Sequence, residues 1–110
     1  MSNVSLWAKT NIKIGNNVKI GADCLLFDSD MHSLDFIKRR KPSTDAINAK
    51  SLVIIIEDDV FIGTRSIICK GVTIGERSIV ASGSVVVKSI PADEIWGGNP
   101  AKFIKRIIND

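Results

Sequence analysis

From Ile56 onward the sequence divides into six-residue units, IEDDVF, IGTRSI, ICKGVT, IGERSI, VASGSV and VVKSIP, whose first position is always aliphatic. Chance gives six aliphatic residues in a row at one phase in under roughly one frame in a thousand. The second position is often small (Gly63, Gly75, Ala81), and the fifth is small or branched (Val60, Ser66, Val72, Ser78, Ser84). The same phase runs through IGNNVK from Ile14 and IGADCL from Ile20, followed by Leu26. In an α-helix, residues six apart lie about 240° apart around the axis, so these aliphatics would scatter over every side. Antiparallel hairpins would need turn signals every 8 to 12 residues or so, whereas here small residues recur every six. A short flat strand, a tight corner and another strand satisfy the pattern. Three such sides close a triangular coil of about 18 residues, and stacked coils form parallel ladders at about 4.8 Å. Ile56 should then lie over Ile74, Ile62 over Val80 and Ile68 over Val86.

At 110 residues and 45% hydrophobic, the chain suits one domain spanning 1–110 with a modest core. Two full coils, one interrupted coil and a partial one leave apolar side walls in need of cover, and copies of the chain would supply it. The net charge of +3, from 15 basic and 12 acidic residues, is too mild and scattered to argue for nucleic acid. Cys24 and Cys69 fit neither a metal spacing nor a disulfide framework, which suits a reducing, cytoplasmic setting. No apolar run reaches the length of a membrane span, and the first residues lack the pattern of a signal peptide. At the other end, Asn99 before Pro100 reads as a helix cap, predicting a short C-terminal α-helix over 101–108 with an apolar face of Phe103, Ile104, Ile107 and Ile108.

Between about 27 and 53 the hexads stop. This long break in a regular solenoid contains DSDMHSLD, with the sole histidine, His32. A histidine with an ordinary pKa is the usual base for taking a proton from a hydroxyl at neutral pH. A carboxylate would fix its tautomer, and Asp28, Asp30 and Asp35 are all near enough in sequence. The run Lys38 to Lys41, KRRK, reads as a solvated loop edge or as an attraction for an acidic glycan or a phosphate.

The hexads, the position of DSDMHSLD one unit after IGADCL, and the trailing IWGGNPAKFIKR together resemble the hexapeptide-repeat acyltransferases, notably the O-acetyltransferases of maltose, galactosides and polysaccharide units. That resemblance implies a left-handed parallel β-helix, a homotrimer, acetyl-CoA as acyl donor and no metal. It implies that His32 is the general base for direct attack of a sugar hydroxyl on the thioester; Asp30 and Asp35, near it in sequence, are the candidates to orient it. It places the pantetheine arm against Thr64, Ala81, Ser82 and Gly83, and the nucleotide phosphates near Lys88, Lys102 and Lys105. Trp96 would wall the adenine or seal the tail. Asn3 and Asp28 are the positional candidates for acceptor contacts, and Phe61 stands where relatives favour tryptophan. N-acetylation of an amino sugar and a noncatalytic scaffold are the alternatives. The γ-class carbonic anhydrase of the same fold needs three imidazoles per zinc, and one histidine per chain supplies them only on a symmetry axis.

Overall fold

The computed structural model describes residues 3–108. The first coil and its lead-in comprise β1 (Ser5–Trp7), β2 (Ile12–Ile14), β3 (Lys19–Ile20) and β4 (Leu25–Phe27). After the excursion come β5 (Ile54–Ile56), β6 (Phe61–Ile62), β7 (Ile67–Ile68), β8 (Thr73–Ile74), β9 (Ile79–Val80) and β10 (Val85–Val86). Successive strands fall in rotation into three sheets, ordered β1-β4-β7-β10, β2-β5-β8 and β3-β6-β9, so the chain winds around a three-sided column. Every one of these pairings is parallel. The registers set Ile56 against Ile74, Ile62 against Val80 and Ile68 against Val86, as the hexad phase requires.

First-position side chains fill the column: Leu26, Ile62, Ile68, Ile74, Val80 and Val86 are wholly enclosed. Each such residue stabilises the fold by about 1.5–3 kcal/mol through the apolar area it removes from water. Fifth positions also point inward, because a strand repeats its facing every second residue. Val60 and Val72 add apolar volume there, while buried Ser66 and Ser84 donate their hydroxyls to the Ala81 carbonyl at 3.2 and 2.6 Å. A buried hydroxyl without such a partner would be costly.

The corners turn at the fourth hexad position, where Asn17, Asp23, Asp59, Arg65, Gly71, Arg77 and Gly83 all take left-handed φ between 57° and 75°. The small second-position residues answer to a different constraint. A Cβ on Gly63 would stand 2.6 Å from the Ser82 nitrogen of the coil above, and one on Gly75 would stand 2.4 Å from that of Ala92. Close stacking of coils, rather than the bend itself, selects glycine at these points.

Two strands end the column: β11 (Glu94–Gly98) and β12 (Ala101–Arg106). The first pairs parallel with β9, and the second pairs antiparallel with the first. The expected C-terminal helix over 101–108 is therefore a hairpin strand, with 107–108 beyond it irregular. The physical reason lies at the sheet edge. Once β11 joins β9, its outer N–H and C=O groups need a partner, and the β-branched and aromatic residues of FIKRII satisfy a ladder better than a helix.

The excursion spans the gap between β4 and β5. Ile14 pairs with Ile56, a separation of 56 − 14 = 42 residues, whereas Ile56 pairs with Ile74 at 74 − 56 = 18. The coil is interrupted by 24 residues without a change of register, and its neck is closed by a Ser29–Ser51 bridge. Beyond the neck lie two short helices, α1 (Phe36–Arg39) and α2 (Pro42–Asp45), and a 3₁₀ turn at Ala46–Asn48.

Candidate active site

Each turn of the excursion is set by a local polar contact. Asp35 caps α1, accepting from the Ile37 N–H at 2.9 Å, and the Thr44 hydroxyl on α2 donates back to the Lys38 carbonyl at 2.7 Å. Proline at the start of α2 fits a position whose N–H has no helical partner. The last residue of that helix, Asp45, faces back toward the neck. Its Oδ1 accepts from the Ser33 N–H at 2.7 Å and its Oδ2 lies 2.6 Å from His32 Nδ1.

That pair defines the chemistry available. With a carboxylate opposite it, Nδ1 carries the proton, so Nε2 presents a lone pair. The imidazole hydrogen bond, with the Ser33 N–H second, holds the Asp45 carboxyl below its ordinary value of 3.8. The side chain of Asp45 is 14% exposed and that of His32 69%, so the carboxylate is held while the ring is open to a ligand. The ring opens on a cleft of about 480 Å³ whose walls include Trp7, Lys9, Ser29, Met31 and Ala46. Lys9 crosses between the N-terminal turn and the end of the excursion, its Nζ donating to the carbonyls of Ala46 and Ala49 at 2.8 and 3.0 Å.

None of the three carboxylates expected beside His32 is hydrogen-bonded to it. Asp28 is wholly enclosed, its two oxygens accepting from the N–H groups of Lys9, Thr10 and Asn11 at 2.7 Å each, which removes it from contact with an acceptor as well. Asp30 pairs with Lys70 at 2.7 Å, and Asp35 is committed to the α1 cap. Asp45 takes the orienting position instead. Sequence spacing could not have shown this, because α1 and the rest of α2 intervene between residues 32 and 45.

Asn3 lines a second cleft of about 550 Å³ that shares Trp7 and Met31 with the first. Thr64 and Ser82 occupy equivalent corner positions in adjacent coils, two residues past the paired Ile62 and Val80. The Thr64 carbonyl accepts from the Gly83 N–H at 2.8 Å, and Ala81 stands against Gly97, where a Cβ would approach to 2.8 Å. Lys88 and Lys102 meet in a groove of about 240 Å³ with Trp96 and Phe103. Trp96 both packs against the core and lines this groove, its indole N–H donating to Glu94 at 2.9 Å. Lys105 lies apart, opposite Ile95 on the hairpin.

The basic run is partly absorbed by the loop itself: Arg39 donates to the Ser33 carbonyl at 3.1 Å and Arg40 stacks 5.0 Å from the Phe36 ring centre. Burial raises the Cys69 thiol above its ordinary value, and Cys24 is sealed in the core with its sulfur 3.2 Å from the Gly63 carbonyl. Neither has the exposed, cation-activated setting of a nucleophile. Among the described residues no helix is long and apolar enough to cross a membrane.

A three-sided parallel column broken by one histidine-bearing loop defines a hexapeptide-repeat protein, and residues 53–88 match the family model described as the hexapeptide repeat of succinyl-transferase. The chain carries the hexapeptide repeat, and the solved structures it resembles over nearly its whole length are acetyltransferases built on that repeat. A hexapeptide-repeat acetyltransferase of Vibrio cholerae, solved with acetyl coenzyme A, superimposes with a TM-score of 0.85 and 39% identity over 97% of this chain and 55% of that one. A galactoside acetyltransferase solved with coenzyme A gives 0.86 and 30% identity, over 96% of this chain and 50% of that one. A 2,3,4,5-tetrahydropyridine-2,6-dicarboxylate N-acetyltransferase of Clostridium perfringens is 55% identical over 53 residues, 48% of this chain and 22% of that protein. The chain thus spans about half the length, or less, of these relatives.

Proposed function

We propose that the protein transfers an acetyl group from acetyl-CoA to a hydroxyl of a sugar or polysaccharide precursor, with His32 as general base. The observation that carries this reading is the His32–Asp45 pair, whose imidazole lines a cleft walled by an exposed indole. Trp7 is 58% exposed, and a flat apolar ring beside a base suits the apolar face of a sugar. Nε2 takes the hydroxyl proton as the oxygen attacks the thioester carbonyl. The C–O bond forms, the C–S bond of the tetrahedral species breaks, and the imidazolium returns its proton to the departing thiolate. Asp45 stabilises the transient imidazolium without itself becoming protonated.

The donor lies along the Thr64 and Ser82 corner, with its phosphates toward Lys88 and Lys102, which the Trp96 groove brings together. The active unit is a homotrimer with a left-handed column, formed by covering exposed apolar groups such as Phe61 and Val87, and it acts in the cytoplasm on free acetyl-CoA. N-acetylation of an amino sugar is the second reading, favoured by the 55% identity to an N-acetyltransferase over 53 residues. Release of coenzyme A thiol, measured with panels of sugars and amino sugars, tests both. His32→Ala should lower turnover by about 10²–10⁴-fold while leaving acetyl-CoA binding intact. Wild-type protein that binds no acetyl-CoA would instead be a noncatalytic scaffold. Turnover confined to the amino sugars would favour the second reading over the first.

A further inference from the structure

We propose that Lys70 and Asp30 are a positioning pair for His32, which grips the neck of the excursion and sets the aim of the imidazole. This rests on the reading of His32 as the base. The ring is 69% exposed and its side chain has one hydrogen-bond partner, so its direction depends on where its backbone leaves the column. Asp30, whose N–H donates to the Lys50 carbonyl at 2.9 Å, is the last residue tied across the neck before the histidine. Met31 then turns through a left-handed φ of 66°, its N–H donating to the Ser29 hydroxyl at 2.9 Å, and His32 follows.

The corner that follows β7 holds both limbs of this neck. Lys70 reaches the outgoing limb, Nζ to Asp30 Oδ1 at 2.7 Å, and the Gly71 N–H reaches the returning limb, donating to the Leu52 carbonyl at 3.1 Å. Both charged side chains are largely enclosed, 28% and 18% exposed. Asp30 Oδ2 is the one buried side-chain oxygen or nitrogen among the described residues that lacks a hydrogen-bond partner. A half-satisfied, desolvated ion pair is a poor source of net stability. What it supplies is direction: it links a rigid coil to the residue two before the base.

The single histidine makes the test direct, since every imidazole signal in a ¹⁵N spectrum of the full chain belongs to His32. In the wild type at fixed pH, the two ring nitrogens should report one dominant tautomer with the proton on Nδ1. Lys70→Met and Asp30→Asn should each shift the ring signals toward a tautomer mixture. They should also lower kcat by about tenfold to a hundredfold, the size expected of a misplacement near 1 Å, with KM for acetyl-CoA unchanged within about twofold. Lys70→Arg, which keeps the charge, should recover part of both. Ring signals identical to the wild type in a folded Lys70→Met or Asp30→Asn protein overturn the pair's role. The ring readout does not need turnover, so a wild type that lacks transferase activity would defeat the proposed function while the tautomer shift still decides the positioning.

Discussion

The coils from Ile54 to Val86 and the excursion from Asp28 to Leu52 are held by different forces. Inside the coils the enclosed side chains are aliphatic or are serines bonded to nearby carbonyls. Within the excursion the enclosed residues are Asp28, Ser29, Ser33 and Ala49, while Leu34, Phe36, Ile37 and Ile47 stand exposed. One region is stabilised by apolar burial repeated along an axis. The other is pinned at a few charged and polar points. A column of the first kind tolerates little change anywhere along its length, whereas the second kind can leave an imidazole open to solvent as long as its pins hold. The division places His32 on the segment with the least apolar support, against coils that form the more rigid frame.

Breaking the coil side should have the largest consequence. Ile62→Ala removes a wholly enclosed side chain that stacks between Ile20 and Val80, and should cost about 2–5 kcal/mol of global stability. Thermal unfolding would fall by several degrees for each kcal/mol in a domain of this size. A loss under about 1 kcal/mol would mean that the column can close around the cavity and that its interior is not the rigid frame described.

Next in size is the knot at the neck. Asp28→Ala leaves three N–H groups of the exposed 9–11 turn without their acceptor; water can replace part of it, so the total cost should be about 1–3 kcal/mol. Here the damage should be local: hydrogen exchange should quicken at Lys9, Thr10 and Asn11 and through the excursion, while amides of β6 to β10 keep their protection. Uniform loss of protection across the coils would erase the distinction between the two regions.

The two regions also differ in how far a reader of the sequence can go. Parallel pairing of Ile56 with Ile74 follows from spacing alone, because a period of six admits few ways to gather those side chains together. The tail shows where local rules lose: Asn99-Pro100 satisfies a helix-start rule, yet the free edge of β11 recruits residues 101–106 as a strand. Placing Asp28, Asp30 or Asp35 in a hydrogen bond to His32 fails for a related reason. Proximity in sequence says nothing about partners 18 or 40 residues away, such as Thr10 for Asp28 and Lys70 for Asp30. Only Asp45, on the far side of α1, is left to meet His32.

The smallest effect should come from the site's own carboxylate under acid. Asp45 has its pKa lowered in the folded chain, first by the His32 imidazole and then by the Ser33 N–H, with Arg39 adding a weaker attraction. A carboxyl depressed in this way stabilises the fold at pH values above its ordinary 3.8, and the contribution disappears as pH falls through the lower, folded value. The pair is open to water on the histidine side, so solvent screening keeps the effect small. Asp45→Asn should therefore unfold at a slightly lower temperature than the wild type at pH 7, and the gap should narrow as pH falls below 3.8. A gap that persists unchanged at pH 3 would mean that Asp45 acts through shape rather than charge, and would move the excursion's last pin from the polar account to the packing one.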